Sequence, residues 1–172
     1  MSTPKLWPHC KMMKPPLPWG CLPTAFSVAT GIPFYEWINA VGHDGGAVVF
    51  EFLPEPQNRR GFHPQELIKA ALGFGVAVTE LQVNPVITTD GKNRYPVVYR
   101  GGNAEAFSEA LRGQRAVIGG VTRAGLGHAA AWDGELGLLF DGVRSGPARL
   151  YDEGFEPRMA FILHKIDLTT QT

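Results

Sequence analysis

The chain has 172 residues, of which 44% are hydrophobic and 19% charged, and this composition is typical of one globular domain with a single sizeable core. Sixteen Lys and Arg residues balance sixteen Asp and Glu residues, so the chain lacks the basic excess that is usual in nucleic-acid-binding proteins, and we expect no nucleic-acid partner. The longest apolar runs, Ala129–Trp132 and Met159–Leu163, are far too short to span a bilayer. Because residues 1–5 also lack the apolar core of a secretory signal, we expect a cytoplasmic protein without membrane insertion, with delivery by a signal-independent route left open.

An irregular arm and two helices are predicted at the start of the chain. Residues 1–20 are rich in Pro and Lys and carry no hydrophobic periodicity, which is typical of an irregular arm. A helix is predicted over Leu22–Thr30, and Gly31 can close it as a left-handed cap. A second helix is predicted over Pro33–Val41, because its apolar residues recur at spacings of three and four, and Gly42 ends it.

The middle of the chain is predicted to contain two further helices and two strands. Pro64–Leu72 has the apolar spacing of a helix, and Asn103 is a suitable N-cap for a helix that ends near Leu111. Val76–Val83 is predicted as a strand. The turn-rich stretch that follows it leaves room for one short strand at Tyr95–Tyr99.

The last third of the chain is predicted to form antiparallel strands. Arg115–Val121 and Arg158–Ile166 are strand candidates. Between them, His128–Trp132 and Leu136–Phe140 flank Asp133-Gly134, and an Asp-Gly pair between two apolar runs is a strong hairpin signal. We therefore expect these two runs to be antiparallel neighbours joined by a two-residue turn.

The order of these elements indicates the fold class. Helices come first and antiparallel strands last, which favours an α+β protein in which N-terminal helices pack on a C-terminal antiparallel sheet. A division into two domains would leave each half with a weak core. We therefore predict a single domain over residues 21–172, preceded by the arm.

Cys21 is the first candidate for chemistry. The chain has two cysteines, Cys10 and Cys21, which is too few for a disulfide scaffold, and a reducing compartment opposes a bond between them. Cys21 stands where a loop becomes a helix, and the unpaired N–H groups and dipole there favour an anion such as a thiolate. Gly20 leaves room for a substrate, and the Cys21 N–H could bind a developing oxyanion. The alternative is that Cys21 is a small apolar core residue.

His128 and Asp141 are the candidate partners of this thiol. A strand of an antiparallel sheet would hold His128 rigidly, as a catalytic base requires. Counting outward from the predicted turn pairs His128 near Leu139, so Asp141 falls about two residues beyond, a diagonal distance that side chains can bridge. Asp141 could then fix the tautomer of the imidazole. The alternatives are a strand-end histidine bonded to backbone and a turn-forming aspartate.

Further residues are candidates for contacting a substrate. Trp19 and Trp132 lie close in sequence to Cys21 and His128 and could shield the site from water, although packing alone would explain both. His43 lies in a glycine-flanked loop, where it could position a substrate or act as a cation at a helix C-terminus. The candidate substrate-binding residues are therefore Trp19, Gly20, His43 and Trp132.

Neither a metal nor a cofactor is predicted. His9 and Cys10 could join Cys21 and His128 around zinc, but their spacing matches no structural zinc pattern. No glycine-rich phosphate loop precedes a Lys-Ser or Lys-Thr pair.

Two segments carry a resemblance to a known family. Trp19-Gly20-Cys21-Leu22-Pro23-Thr24-Ala25-Phe26 is similar to the nucleophile segment of papain-like cysteine peptidases, in particular their bacteriocin-processing branch. The run Gly127-His128-Ala129-Ala130-Ala131-Trp132-Asp133-Gly134, followed by Phe140-Asp141-Gly142, resembles the His strand and the Asp of that branch. Short bacterial and phage proteins of this type share motifs similar to three further segments, which are Gly31–Phe34, Gly42–Gly45 and Arg60–His63.

This resemblance implies a papain-like fold and a cysteine hydrolase that needs no cofactor. Cys21 would be the nucleophile, His128 the base and Asp141 the residue that orients it. The bond attacked would be an amide or related acyl bond, through a thioester intermediate. Peptidase, amidase, deamidase and acyl-transfer reactions all use these three residues, and a peptide or protein substrate is expected. The motifs specify neither the substrate nor the oligomeric state.

One departure from the family pattern concerns the oxyanion. Papain-like enzymes usually carry a Gln a few residues before the Cys, and residues 14–20 contain neither Gln nor Asn. His9, Lys11 or Lys14 could substitute, or backbone N–H groups alone could serve. Losing one such donor costs roughly a hundred- to a thousandfold in rate. The alternative functions are therefore an inactive papain-fold module that binds a peptide or protein, and an accessory phage protein in which Cys21 is core.

Overall fold

The computed structural model describes residues 7–83, 86–88, 97–99, 104–152 and 154–166. Within these ranges the helices are α1 (Cys21–Thr30), α2 (Phe34–Val41), α3 (Pro64–Gly73) and α4 (Ala104–Ala110). The strands are β1 (Val76–Gln82), β2 (Val86–Thr88), β3 (Val97–Tyr99), β4 (Arg115–Thr122), β5 (Gly127–Asp133), β6 (Leu138–Phe140) and β7 (Phe155–Lys165). None of the helices in the described ranges has the length and apolar character needed to cross a membrane.

The predicted helix ends are confirmed at the two glycines. Gly31 has φ 75° and Gly42 has φ 89°, both in the left-handed region that glycine adopts without steric cost. Their N–H groups donate to the carbonyls of Ser27 and Ile38, which closes the last turn of each helix. Tyr95 and Asn103, which were predicted to start a strand and a helix, lie outside the described residues.

The fold is α+β, as predicted. Five strands form one sheet in the order β1-β7-β4-β5-β6, and every neighbouring pair is antiparallel. Strands β2 and β3 pair with each other in a separate two-stranded sheet. The predicted sequence of N-terminal helices and C-terminal antiparallel strands is therefore confirmed.

The sheet separates two hydrophobic cores, because successive side chains of a strand point to opposite faces. The first core lies between the sheet and helices α1, α2 and α3, and it contains Phe26, Trp37, Leu67 and Phe161. The second core is formed by the other set of strand residues and by α4. Its larger members are Phe107, Leu111, Ile118, Trp132, Leu139, Leu150 and Phe155.

Helix α1 packs against strand β5 through small side chains. Ala25 and Ala29 of the helix and Ala129 and Ala131 of the strand are all buried in the first core. Alanines on both surfaces allow a helix and a strand to approach closely. This packing brings the start of α1 to the start of β5, where His128 lies.

The predicted turn between β5 and β6 is wrong in length. Ala131 pairs with Phe140 and Asp133 with Leu138, so four residues, 134–137, connect the strands. The physical reason is the fully buried side chain of Asp133, which stays in the strand while its Oδ1 accepts the N–H groups of two residues of the connection. The error in register is an even number of residues, so the predicted faces of the strands are unchanged.

Candidate active site

Cys21 is the first residue of α1 and is partly exposed. The first N–H groups of a helix have no intrahelical acceptor. Thr24 N–H reaches the carbonyl of Gly20 at 3.0 Å, and Pro23 has no N–H. The amides of Cys21 and Leu22 are therefore the backbone donors at the helix start, where the helix dipole also favours an anion.

His128 lies between the thiol of Cys21 and the carboxylate of Asp141. Its Nε2 is 2.8 Å from Asp141 Oδ1, and the exposed fractions of the two side chains are 11% and 4%. Cys21 lines the same small cavity as His128, and its thiol is among the groups that raise the pKa of the imidazole. The ring of Phe155 meets the imidazole edge-on, with 5.8 Å between the centroids. The structure thus brings the three predicted catalytic side chains together.

The imidazole is held in its protonated form. Burial on its own lowers the pKa of His128, but hydrogen bonds and charges from Asp141 and Cys21 outweigh burial and raise the pKa from 6.5 to about 9. Burial raises the pKa of Asp141, but the hydrogen bond and charge of His128 together with the Val143 N–H and Arg144 hold it below its usual range. At neutral pH the site therefore contains an imidazolium and a carboxylate.

Asp141 is itself fixed by the turn that follows β6. Its Oδ1 also accepts the N–H of Val143 at 3.2 Å, and Arg144 Nε lies 3.6 Å from Oδ2. The carboxylate therefore forms the turn and holds the imidazole at the same time. The two interpretations of Asp141 offered by the sequence are compatible.

A small cavity lies beside these side chains, between α1, β5 and the end of β6. Its volume is about 10 Å³, roughly what one water molecule needs. Cys21, His128 and Asp141 contribute to its wall, together with Thr24 and Pro15. The remaining wall residues are Ala25, Val28, Ala129, Ala130, Phe140 and Gly142.

The segment before Cys21 closes one side of the site. A Cβ on Gly142 would lie 2.2 Å from the carbonyl oxygen of Met13 and 2.7 Å from Pro15 Cδ, so this part of the arm packs directly on the residue after Asp141. Within the stretch where the family carries its Gln, Pro15 is the residue that reaches the cavity, and proline has no N–H to donate. His9 is engaged elsewhere, because its Nδ1 lies 3.0 Å from Asp133 Oδ2 at the opposite end of β5.

Cys10 is less accessible than Cys21. Both thiols are free, but Cys10 is only 5% exposed, and its N–H donates to Asp133 Oδ2 at 3.0 Å. Burial raises the pKa of the Cys10 thiol to about 12, against the opposing effect of Arg115. Cys10 is thus a core residue beside a buried Arg115–Asp133 ion pair of 3.2 Å.

Trp19, just before α1, contacts the loop after α2 that contains His43. Trp19 Nε1 donates to the carbonyl of Asp44 at 2.7 Å, and the guanidinium of Arg59 lies 5.1 Å from the centre of the indole. His43 accepts the N–H of Gly45 at Nδ1, and its Nε2 is 3.0 Å from Glu66 Oε1. His43 therefore holds the loop to α3 and does not contribute to the wall of the Cys21 cavity.

The other two candidate substrate residues have packing partners. Trp132 is 6% exposed in the second core, and its Nε1 donates to the carbonyl of Leu111 at 2.9 Å, which leaves it almost no surface for a substrate. Gly20 is buried, and a Cβ there would lie 3.2–3.3 Å from atoms of Leu17 and Phe34. The space beside Gly20 is thus occupied by the protein itself.

Three residues of the site were not anticipated from the sequence. Thr24, Phe155 and Gly142 all lie against the catalytic side chains or their immediate neighbours. Thr24 could have been found from its position three residues after Cys21, which places both on one face of the helix. The contacts of Phe155 and Gly142 depend on distant segments and have no local signal.

No protein-family model matches the chain, and no curated protein is similar to it at a significant level. Within the described ranges, no group of three or more His, Cys, Asp or Glu side chains is placed to hold a metal ion.

Proposed function

We propose that this chain is a papain-like cysteine hydrolase that acts on an amide or related acyl bond. The observation that carries the proposal is the position of His128, whose Nε2 lies 2.8 Å from Asp141 Oδ1 and which lines the same small cavity as Cys21. A nucleophile, a base within hydrogen-bonding reach and a third group that orients the base are the requirements of nucleophilic acyl transfer.

The reaction needs only these groups and water. The sulfur of Cys21, having given its proton to His128, attacks the carbonyl carbon, and the negative charge moves to the carbonyl oxygen. When the oxyanion collapses, the carbon–nitrogen bond breaks, and the imidazolium gives its proton to the leaving amine. This leaves a thioester on Cys21. His128 then takes a proton from water, the resulting hydroxide attacks the thioester, and the acid is released with the thiol restored.

The proton path follows from the orientation of the imidazole. Nε2 faces Asp141 Oδ1 at 2.8 Å, so Nδ1 is the nitrogen that exchanges a proton with the sulfur and with the leaving group. Asp141 keeps the ring in this orientation and stabilises its charge. The amides of Cys21 and Leu22 are the donors we assign to the oxyanion, since the arm supplies Pro15 where the family has Gln.

Selective alkylation of Cys21 tests the proposal. At about pH 6 a free cysteine, with a pKa near 8.5, is almost entirely protonated and reacts slowly. We expect iodoacetamide to modify Cys21 much faster than free cysteine, and peptide mass spectrometry will show the site. Cys10 is the internal control, because its buried thiol should remain unmodified in the folded protein.

The His128→Asn variant separates activation from exposure. If the imidazolium stabilises the thiolate, this variant should alkylate at least about tenfold more slowly at the same pH. If Cys21 reacts only because it is exposed, the two proteins will react at the same rate, and the hydrolase proposal fails.

A second candidate function is an inactive papain-fold module that binds a peptide or protein. The observation that favours it is an exposed apolar loop, here called the Phe52 loop (Val48–Leu53), in which Phe52 is 82% exposed and its ring meets that of Phe50 at 6.1 Å. Val48 of this loop pairs with Arg59, whose guanidinium lies over the ring of Trp19 just before α1. Exposed apolar clusters of this kind mark interaction sites.

The two functions differ in their dependence on Cys21. A displayed library of random peptides can be selected on the Cys21→Ala variant, which cannot form a thioester. A binding module selects apolar peptides that require Phe52 and show no turnover on the wild-type protein. Cleavage or acylation of the selected peptides by the wild type contradicts the binding-module interpretation.

A further inference from the structure

Thr24 carries a buried hydroxyl in the wall of the proposed active site. Thr24 lies three residues after Cys21 on α1 and is 3% exposed. Its Oγ1 has no hydrogen-bond partner among the residues that the structure describes. Burying a hydroxyl without a partner is costly, and the explanations for such a group in a folded protein include a catalytic role and a bound water or ion.

Another threonine of the same helix shows how a threonine hydroxyl in α1 can form a hydrogen bond. Thr30, which is 7% exposed, donates from Oγ1 to the carbonyl of Phe26 at 2.6 Å, four residues earlier. The equivalent carbonyl for Thr24 belongs to Gly20, and it accepts the Thr24 N–H but no bond from the hydroxyl. The Thr24 hydroxyl is therefore unpaired, in a residue that contributes to the wall of the cavity.

The cavity provides suitable surroundings for one water molecule. Its volume of about 10 Å³ is close to the minimum for a single water, which also needs two to four polar partners. Besides Thr24, the side chains with polar atoms in its wall are Cys21, His128 and Asp141. Every polar side chain that could complete the coordination of this water thus belongs to the proposed catalytic group.

We propose that Thr24 is a positioning residue, whose hydroxyl binds one water in this cavity and through it donates a hydrogen bond to the sulfur of Cys21. This inference rests on the proposed hydrolase function. The hydroxyl donates to the water oxygen, and one water proton points to the sulfur while the other can reach the Asp141 carboxylate. A hydrogen bond donated to the charged form of a group favours that form. Thr24 therefore stabilises the thiolate without touching the substrate.

Replacing Thr24 by Val tests this role, because the side chains have nearly the same shape and only the hydroxyl is lost. The readout is the rate of Cys21 alkylation by iodoacetamide as a function of pH, which needs no substrate. We expect Thr24→Val to slow alkylation at about pH 6 by about tenfold, the effect of one hydrogen bond to an ion, and to move the midpoint to higher pH. Thr24→Ser keeps the hydroxyl and should restore most of the wild-type rate.

Thr30→Val is the matched control, since it removes a buried hydroxyl from the same helix outside the cavity wall. It should alkylate at the wild-type rate. Circular dichroism will verify folding of each variant, and Thr24→Ala gives a second protein without the hydroxyl if Thr24→Val is unfolded. Both Thr24 variants without the hydroxyl should show the same slower alkylation.

Two outcomes would contradict the inference, and they can be told apart. If wild-type Cys21 reacts no faster than free cysteine, the hydrolase proposal fails and the role of Thr24 fails with it. If the wild type reacts fast and Thr24→Val reacts equally fast, only the role of Thr24 fails. In that second case the loss of an unpaired buried hydroxyl should also raise the melting temperature, as expected for a group without function.

Discussion

Replacing Asp141 by Asn should move the protonation of His128 to lower pH. In the native protein burial opposes the charge on the imidazole, yet its pKa is raised from 6.5 to about 9 by Asp141 and Cys21. This rise corresponds to roughly 3 kcal/mol in favour of the imidazolium. Asn keeps the shape of the side chain and a hydrogen-bonding oxygen but removes the negative charge. The pKa of His128 should therefore fall well below 9 in the variant.

The titration of His128 can be followed by nuclear magnetic resonance. The chain has five histidines, and a His128→Asn variant identifies the signal of His128 by its disappearance. His164, whose Nε2 lies 3.1 Å from Thr79 Oγ1 on the sheet, is an internal control whose signals should be the same in the native and Asp141→Asn proteins. A His128 that titrates near 6.5 in both proteins would refute the proposed charge arrangement.

Two further predictions concern stability. Because folding raises the pKa of His128, its contribution of roughly 3 kcal/mol to the free energy of unfolding should be complete below pH 6.5 and lost as the pH rises through about 9. Urea unfolding at about pH 6 and about pH 10 should therefore show a fall in the free energy of unfolding, and this fall should be smaller in His128→Asn. Replacing Asp133 by Ala should cost about 3–5 kcal/mol, because the buried Arg115 loses its carboxylate. Urea unfolding also measures this loss of stability, and Glu135→Ala, at a half-exposed side chain, is the control. A loss for Asp133→Ala within about 0.5 kcal/mol of the loss for the control would contradict the structural role of the ion pair.

The helix positions could be predicted because their signals are local. Gly31 and Gly42 each stand at the only place where an amphipathic segment could end in a left-handed residue, and both have positive φ. The fold class followed from the order of the elements, since helical patterns come first in the chain and most strand patterns come last. These features depend on neighbouring residues, which the sequence shows directly.

The β5–β6 register was mispredicted because Asp133 has distant partners. An Asp-Gly pair predicts a two-residue turn when only its neighbours are considered. In the structure the Asp133 carboxylate forms an ion pair with Arg115, contacts the ring of His9 and accepts the N–H of Cys10. These buried contacts keep Asp133 in the strand. A residue that serves a non-local ion pair does not behave as its local motif suggests.

The candidate site could be predicted only in part, because some of its features have local signals and others depend on distant segments. Cys21 at a helix start and His128 on a strand have local signals, and the even register error left Asp141 on the predicted face of the hairpin. Trp132 could not be assigned from its nearness in sequence to His128, because the two share a face of β5 but lie four residues, about 13 Å, apart along the strand. The cavity beside Thr24 depends on three separate segments, so no sequence pattern indicated it.

Acylation by an activated ester such as p-nitrophenyl acetate is the most direct measurement of the central claim that Cys21 forms a thioester which His128 helps to hydrolyse. We expect a burst of about one nitrophenolate per protein, an acetyl group on Cys21 by peptide mass spectrometry, and then steady turnover that is lost in His128→Asn. An acetyl group that never leaves Cys21 would contradict catalysis, and the absence of any burst would contradict an activated nucleophile.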